Sequence, residues 1–169
     1  MPAQNQPLRI FLWIIFIVYM AALTKNILFK KSPSYYKNHF RNEYRHYSIK
    51  NGWEKANTKP FSTIQLFYNS HRMNPEYKQN NLLGNLLGFL PLGIFLPLLL
   101  PFFRNAIIVL LSGCLVSLGF ESAQLLFDLG VFDIDDIILN TAGCLGGYII
   151  YSTARLLFTR RIIDRVARA

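Results

Sequence analysis

Four stretches of this chain are long, apolar and nearly free of charge, and the charges gather in the segments between them. Residues 82–103 carry no charge, 106–127 carry only Glu121, and 137–158 carry only Arg155 near the end. Each run is 22 residues long. A helix needs roughly 20 residues, at about 1.5 Å each, to cross a hydrocarbon core of about 30 Å. The first stretch is shorter: 10–23 is a clean apolar run, and it becomes a span over 9–29 if Lys25 reaches out to the interface along its aliphatic stem. A cleaved signal peptide is the rival reading, with Arg9 as its basic region and Ala21-Ala22 near a cleavage point. One Arg makes a thin basic region, so the retained helix is expected. The pattern predicts an all-α integral membrane protein in a single domain, 1–169, formed as a bundle of four transmembrane helices. The spans fall at about 9–29, 82–103, 106–127 and 137–158, with a basic aromatic loop over 30–81 between helices one and two.

That loop has a pattern of its own. After Ser34, a suitable helix cap, Tyr36, Phe40, Tyr44 and Tyr47 recur at helical spacing while Lys37, Arg41 and Arg45 take other faces. The spacing predicts a short amphipathic helix on a membrane surface, against the plainer alternative of a solvated basic loop.

Composition agrees with the pattern: 52% of residues are hydrophobic and 16% charged, and mean hydropathy is +0.25. A soluble globule, a disordered chain and a disulfide scaffold are excluded, the last because there are only 2 Cys. Cys114 and Cys144 both fall inside spans and read as small packing residues. The net charge of +9 is unevenly placed. Eleven basic residues lie between Lys25 and Lys78 against Glu43, Glu54 and Glu76, and a second basic block, from Arg155 to Arg168, ends the chain. The tail places the termini inside, and a loop this long loses its influence on insertion, so the loop and the acidic turn face out. Basic residues among aromatics also suit single-stranded nucleic acid, but no nucleic-acid fold signature accompanies them, and no nucleic-acid partner is expected. His39, His46 and His71 lie in the loop without the spacing of metal ligands.

The candidate chemistry is acidic. Glu121, Asp128, Asp133, Asp135 and Asp136 fall within 16 residues, from 121 to 136. Gly113, Ser117, Glu121, Gln124 and Asp128 recur at helical steps and line one stripe of the third helix; Asp136, Asn140, Gly143, Gly147 and Tyr151 do so on the fourth. A short turn joins the two, so antiparallel packing brings Glu121 and Gln124 toward Asp136 and Asn140. Asn81 and Asn85 add amides at the start of the second helix, and Pro91 kinks it. Gly84 with Gly88 and Gly143 with Gly147 have the GxxxG spacing that lets helix backbones approach. Glu121 is the sharpest residue, because an ionised carboxylate in hydrocarbon is kept only by pairing, hydration or protonation. Its plainer role is interhelical bonding to Gln124 and Asn140. Asp135 or Asp136 in turn suits a cap on the fourth helix. Glu121→Gln is expected to fold without function, and Glu121→Leu to be tolerated or stabilising. No activated nucleophile, P-loop, HExxH or GxSxG is present.

Three motifs resemble the VanZ-like proteins, small bacterial membrane proteins named for one linked to teicoplanin resistance. KPFSTIQLFY at 59–68 is similar to the family's Pro-Phe-x-Thr-Ile segment. NNLLGNLLGFLPLGIFLPLL at 80–99 resembles its Asn-bearing helix leading into Phe-x-Pro-Leu-Gly, through Asn85, Phe89, Pro91, Leu92 and Gly93. FESAQLLFDLGVFDIDDIILNTAGCLGGY at 120–148 resembles its Glu-x-x-Gln and Asp-x-Asp-Asp-x-x-x-Asn-x-x-Gly signature, through Glu121, Gln124, Asp133, Asp135, Asp136, Asn140 and Gly143. Many members carry an Arg in the turn after that Gln, where this chain has Leu129-Gly130-Val131. The resemblance implies a multi-pass protein of the bacterial cell membrane, with lowered lipoglycopeptide sensitivity in some members and no settled mechanism.

The first expectation is a non-enzymatic envelope protein whose polar pocket takes an amphiphile or a lipid-linked head group. Glu121, Gln124, Asp136 and Asn140 line it, Asp133 and Asp135 gate it, Asn85 adds an amide, and the loop covers it. Its partners are membrane lipids or lipid-linked envelope components, and no cofactor is called for. The alternative is a membrane enzyme acting on a lipid-linked envelope precursor, with a divalent cation held by the carboxylates. A third reading is a helper that packs on a membrane-protein partner through its GxxxG faces.

Overall fold

A computed structural model describes residues 6–43, 47–69 and 75–167, with side chains over 6–42, 47–69 and 81–158. Tyr44, His46, His71 and the side chains of the arginines after Arg155 lie outside these ranges. The chain forms helix α1 (Gln6–Leu28), then α2 (Pro33–Asn38) continuing into a π turn (His39–Glu43), α3 (Ile49–Glu54), α4 (Ser62–Asn69) and α5 (Pro75–Leu99). A 3-10 turn (Pro101–Arg104), α6 (Ala106–Phe127) and α7 (Ile134–Ala167) complete it. No strand occurs among the described residues; one isolated bridge joins Asn57 to Asp133. Four helices, α1, α5, α6 and α7, are long and apolar enough to cross a membrane.

The observed boundaries differ from the expected spans where backbone chemistry overrides hydropathy. The second helix ends at Leu99, short of Phe103, because Pro101 cannot continue it and opens a 3-10 turn. Asn105 then caps α6, accepting the amides of Ile107 at 2.8 Å and Ile108 at 3.4 Å. In the loop the cap is Ser32 and not Ser34: its hydroxyl accepts from the Tyr35 amide, and Pro33 takes the first helical position, where its missing N–H costs nothing. Regular α-helix ends at Asn38, so the expected amphipathic stripe is cut short, and the π turn carries His39 inward to 1% exposure.

Packing is closest between α5 and α7, where glycine replaces side chains. A Cβ built on Gly143 would stand 1.9 Å from the Leu86 carbonyl oxygen, and one on Gly147 1.9 Å from that of Leu90. The Gly143/Gly147 pair is thus occupied within the chain. Across the other face, Gly113 of α6 receives Cys144 of α7. Apolar surface gains nothing by leaving lipid, so close van der Waals contact of this kind carries the bundle. Phe89, Leu92, Val109 and Cys144 form its dry centre. By contrast, α1 leaves Ile10, Phe11, Ile14, Ile17 and Val18 more than half exposed, as a lipid-facing helix does. It holds to α5 through Phe16 and Tyr19 against Phe95, and through the Tyr19 hydroxyl, which donates to the Gly88 carbonyl at 2.8 Å. Cys114 and Cys144 are free thiols.

Candidate functional site

The site lies at the end of the bundle where α1 and α6 finish and α7 begins. The acidic turn there serves first as an anchor. Asp133 precedes α7 and caps it, its Oδ1 accepting the Asp135 amide at 2.8 Å, so the cap is neither Asp135 nor Asp136. The same Oδ1 accepts the Asn57 amide at 2.7 Å, and Oδ2 the Thr63 hydroxyl at 2.7 Å. Asp135, fully buried, caps a different helix: it accepts the backbone N–H groups of Phe61, Thr63 and Ile64 at the start of α4. A carboxylate suits that place, since the first amides of a helix have no internal partner and carry positive charge. Phe61, with φ of 65°, makes the turn that presents them. Backbone bonds from Asn57 to Phe132 and from Ile134 to Asn57 complete the join.

The remaining stripe residues tie helices together. Glu121, 1% exposed, accepts the Asp133 amide at 2.8 Å. Gln124 donates to the Ile27 carbonyl at 3.1 Å and so links α6 to α1. Asn140 donates to the Ser117 hydroxyl at 2.8 Å. Loop side chains close the C-terminal end of α6, whose last carbonyls lack helical partners. The Tyr47 hydroxyl donates to Leu125, and His39 Nε2 stands 3.2 Å from the Phe127 carbonyl. From the sequence His39 was weighed only as a metal ligand; its place among aromatic residues, beside Tyr35 and Phe40, was the available signal of a packed position.

Against the wall of this anchored turn opens a cavity of about 560 Å³, between the end of α1, the membrane-entering half of α5, and Asn140 of α7. Asn81, Asn85 and Asn140 supply polar groups, Leu23 and Phe89 apolar ones, and Lys25, Lys30 and Lys31 reach it from the end of α1 and the residues that follow. Asn140 Oδ1 is buried without a hydrogen-bond partner. The Asn85 side chain has the Asp136 carboxylate as its partner, and Asp136 stands behind it, outside the cavity lining. Of the seven residues expected to form a pocket, Asn85 and Asn140 line this one. Asp136 backs it, Gln124 bonds the carbonyl of Ile27 in its lining, and Glu121, Asp133 and Asp135 are engaged at the turn and the start of α4, outside the lining. From the sequence, Lys30 and Lys31 read only as loop charge and Lys25 as the interfacial end of the first span. Among the described residues, no group of three His, Cys, Asp or Glu side chains is placed to hold a metal ion.

The VanZ/LLP1 family model matches residues 16–158, from α1 to the last apolar turn of α7. The chain belongs to the VanZ/LLP1 family. The matched region takes in the cavity, the acidic turn and the segment that Asp135 caps. No curated protein and no solved structure is a significant match to this VanZ-family chain.

Proposed function

We propose that this VanZ-family protein works in the bacterial cell membrane as a non-enzymatic binder, taking the polar head group of an amphiphile or lipid-linked envelope component into the cavity beside α1. The observation that supports this is the cavity's lining: the side chains of Asn81, Asn85 and Asn140 beside apolar Leu23 and Phe89, with Lys25, Lys30 and Lys31 at its edge. A head group suits the polar side of such a lining, and the first carbons of its chain suit the apolar side. With the termini inside, the cavity faces outward, where lipid-linked envelope precursors and lipoglycopeptides meet the membrane. Occupying such a component there would lower sensitivity to teicoplanin, in keeping with the family's association.

The test is teicoplanin and vancomycin susceptibility in a Gram-positive host carrying wild type, Asn85→Leu, Asn140→Leu or empty vector, with membrane abundance measured by blot. Teicoplanin-selective protection by wild type, lost in both variants at equal abundance, is the expected result. Equal susceptibility of wild type and vector would remove the resistance role from this member.

A further inference from the structure

We infer that the cavity beside α1 selects a phosphate-bearing head group of a membrane amphiphile, read by the lysines at its mouth and by the amides at its wall. The inference rests on the reading of the cavity as a head-group site and adds the ligand's chemistry. Lys25, Lys30 and Lys31 all border the cavity although they belong to a single short segment. Lys31 Nζ lies over the Tyr35 ring, 5.5 Å from its centroid. Glu121 and Asp136 do not line the cavity: Glu121 accepts the Asp133 amide, and Asp136 sits behind Asn85. The residues that line the cavity thus include three cations and no anion, with the amide side chains of Asn81, Asn85 and Asn140 among them.

A phosphate group fits that arrangement because its several oxygens can meet ammonium point charges from different directions while also accepting from an amide. An ester-linked alcohol or sugar hydroxyl would bond the amide side chains of the lining. Leu23, Ile27 and Phe89 offer an apolar lining for the first carbons of an acyl or prenyl chain, which free phosphate would leave empty. The glycines of α5 open the space. A Cβ on Gly84 would meet nothing within 4 Å, and one on Gly88 only Leu23.

Gly84 also provides the cleanest block, since a large side chain there would enter the cavity without striking backbone. The full chain, purified in a neutral detergent, is titrated calorimetrically with dioctanoyl phosphatidic acid, dioctanoylglycerol and inorganic phosphate. The same titrations are run on Lys30→Gln and Gly84→Phe, and melting temperatures verify folding. Saturable binding of the phosphatidic acid is expected, about tenfold tighter than of the glycerol. Lys30→Gln should lose about that factor for the phosphatidic acid alone, and Gly84→Phe should lose saturable binding of both lipids. Equal affinity for the two lipids, abolished in Gly84→Phe, overturns the phosphate inference and leaves the head-group cavity standing. Inorganic phosphate binding as tightly as the lipid overturns the amphiphile source. Phosphatidic acid affinity unchanged in both variants places binding elsewhere and overturns the inference. No saturable binding of any probe by wild type overturns it together with the reading beneath it. Because Lys30 is exposed, its variant carries the test even where Gly84→Phe does not fold.

Discussion

The Asp135 carboxylate accepts the backbone N–H of Thr63 at 2.7 Å across 72 positions of the chain. This contact ties the segment between α1 and α5 to the helix bundle. Thr63 answers through its hydroxyl, which donates to Asp133, and Asn57 bridges the two by donating to both Asp133 and Thr63. The Pro-Phe-Ser-Thr segment and the Asp-Ile-Asp-Asp turn are thus two halves of one hydrogen-bonded joint.

Cutting that joint should be costly. Asp135→Ala leaves three amides at the start of α4 without acceptors, at about 1–3 kcal/mol for each one that stays buried. A fall of several degrees in melting temperature is expected in detergent, together with new protease sensitivity between Asn57 and Asn69. Asp135→Asn, which keeps one acceptor oxygen, should fall between Ala and wild type. Melting curves that match for all three proteins would show that the joint does not hold the loop.

Glu121 separates a packing role from a charge role. Its Oε2 accepts the Asp133 amide, and a Gln side-chain oxygen can take the same bond, so Glu121→Gln should reach the membrane at wild-type abundance. Glu121→Leu cannot accept it. The sequence pattern alone suggests that Leu is tolerated or stabilising; the observed acceptor role reverses this, and a loss of about 1–3 kcal/mol is expected from the stranded amide. Comparing melting temperatures of the two variants decides between these views.

Much of the bundle was legible because spans announce themselves by the absence of charge, and the polar stripes by helical spacing, although Asn140 bonds Ser117 of the facing stripe where Glu121 and Gln124 were expected. Two things were not. The 82–103 run remains apolar through Phe103, and hydropathy cannot register that Pro101 ends the hydrogen-bonded helix at Leu99. Nor could periodicity reveal the partners of Asp133 and Asp135, since Asn57 and Thr63 lie in an irregular segment far along the chain. The lysines escaped notice for a related reason. A Lys at the end of a span satisfies topology rules wherever it points, so only the cavity distinguishes Lys30 from the other loop charges.

The glycines of α7 offer an internal control. Gly143→Ala and Gly147→Ala place a methyl within 1.9 Å of a carbonyl oxygen on α5, so the helices must separate. A loss of several degrees in melting temperature and lower membrane yield are expected. Gly146→Ala, with nothing within 4 Å, should be neutral or stabilising by up to about 1 kcal/mol from helix propensity. Similar behaviour in all three would mean that α5 and α7 do not pack backbone to backbone.

Asn85 and Asn140 should lose stability and function together. The Asn85 side chain hydrogen-bonds Asp136, so Asn85→Leu leaves a buried carboxylate without that partner. Asn140→Leu strands the Ser117 hydroxyl, which accepts from Asn140 at 2.8 Å. A buried polar group left unpaired costs on the order of 1–3 kcal/mol. Both variants are therefore expected to melt several degrees below wild type, and teicoplanin protection should fall to the level of the empty vector in each at equal membrane abundance. If Asn85→Leu melts at or above wild type, the bond between Asn85 and Asp136 does not hold the wall of the cavity.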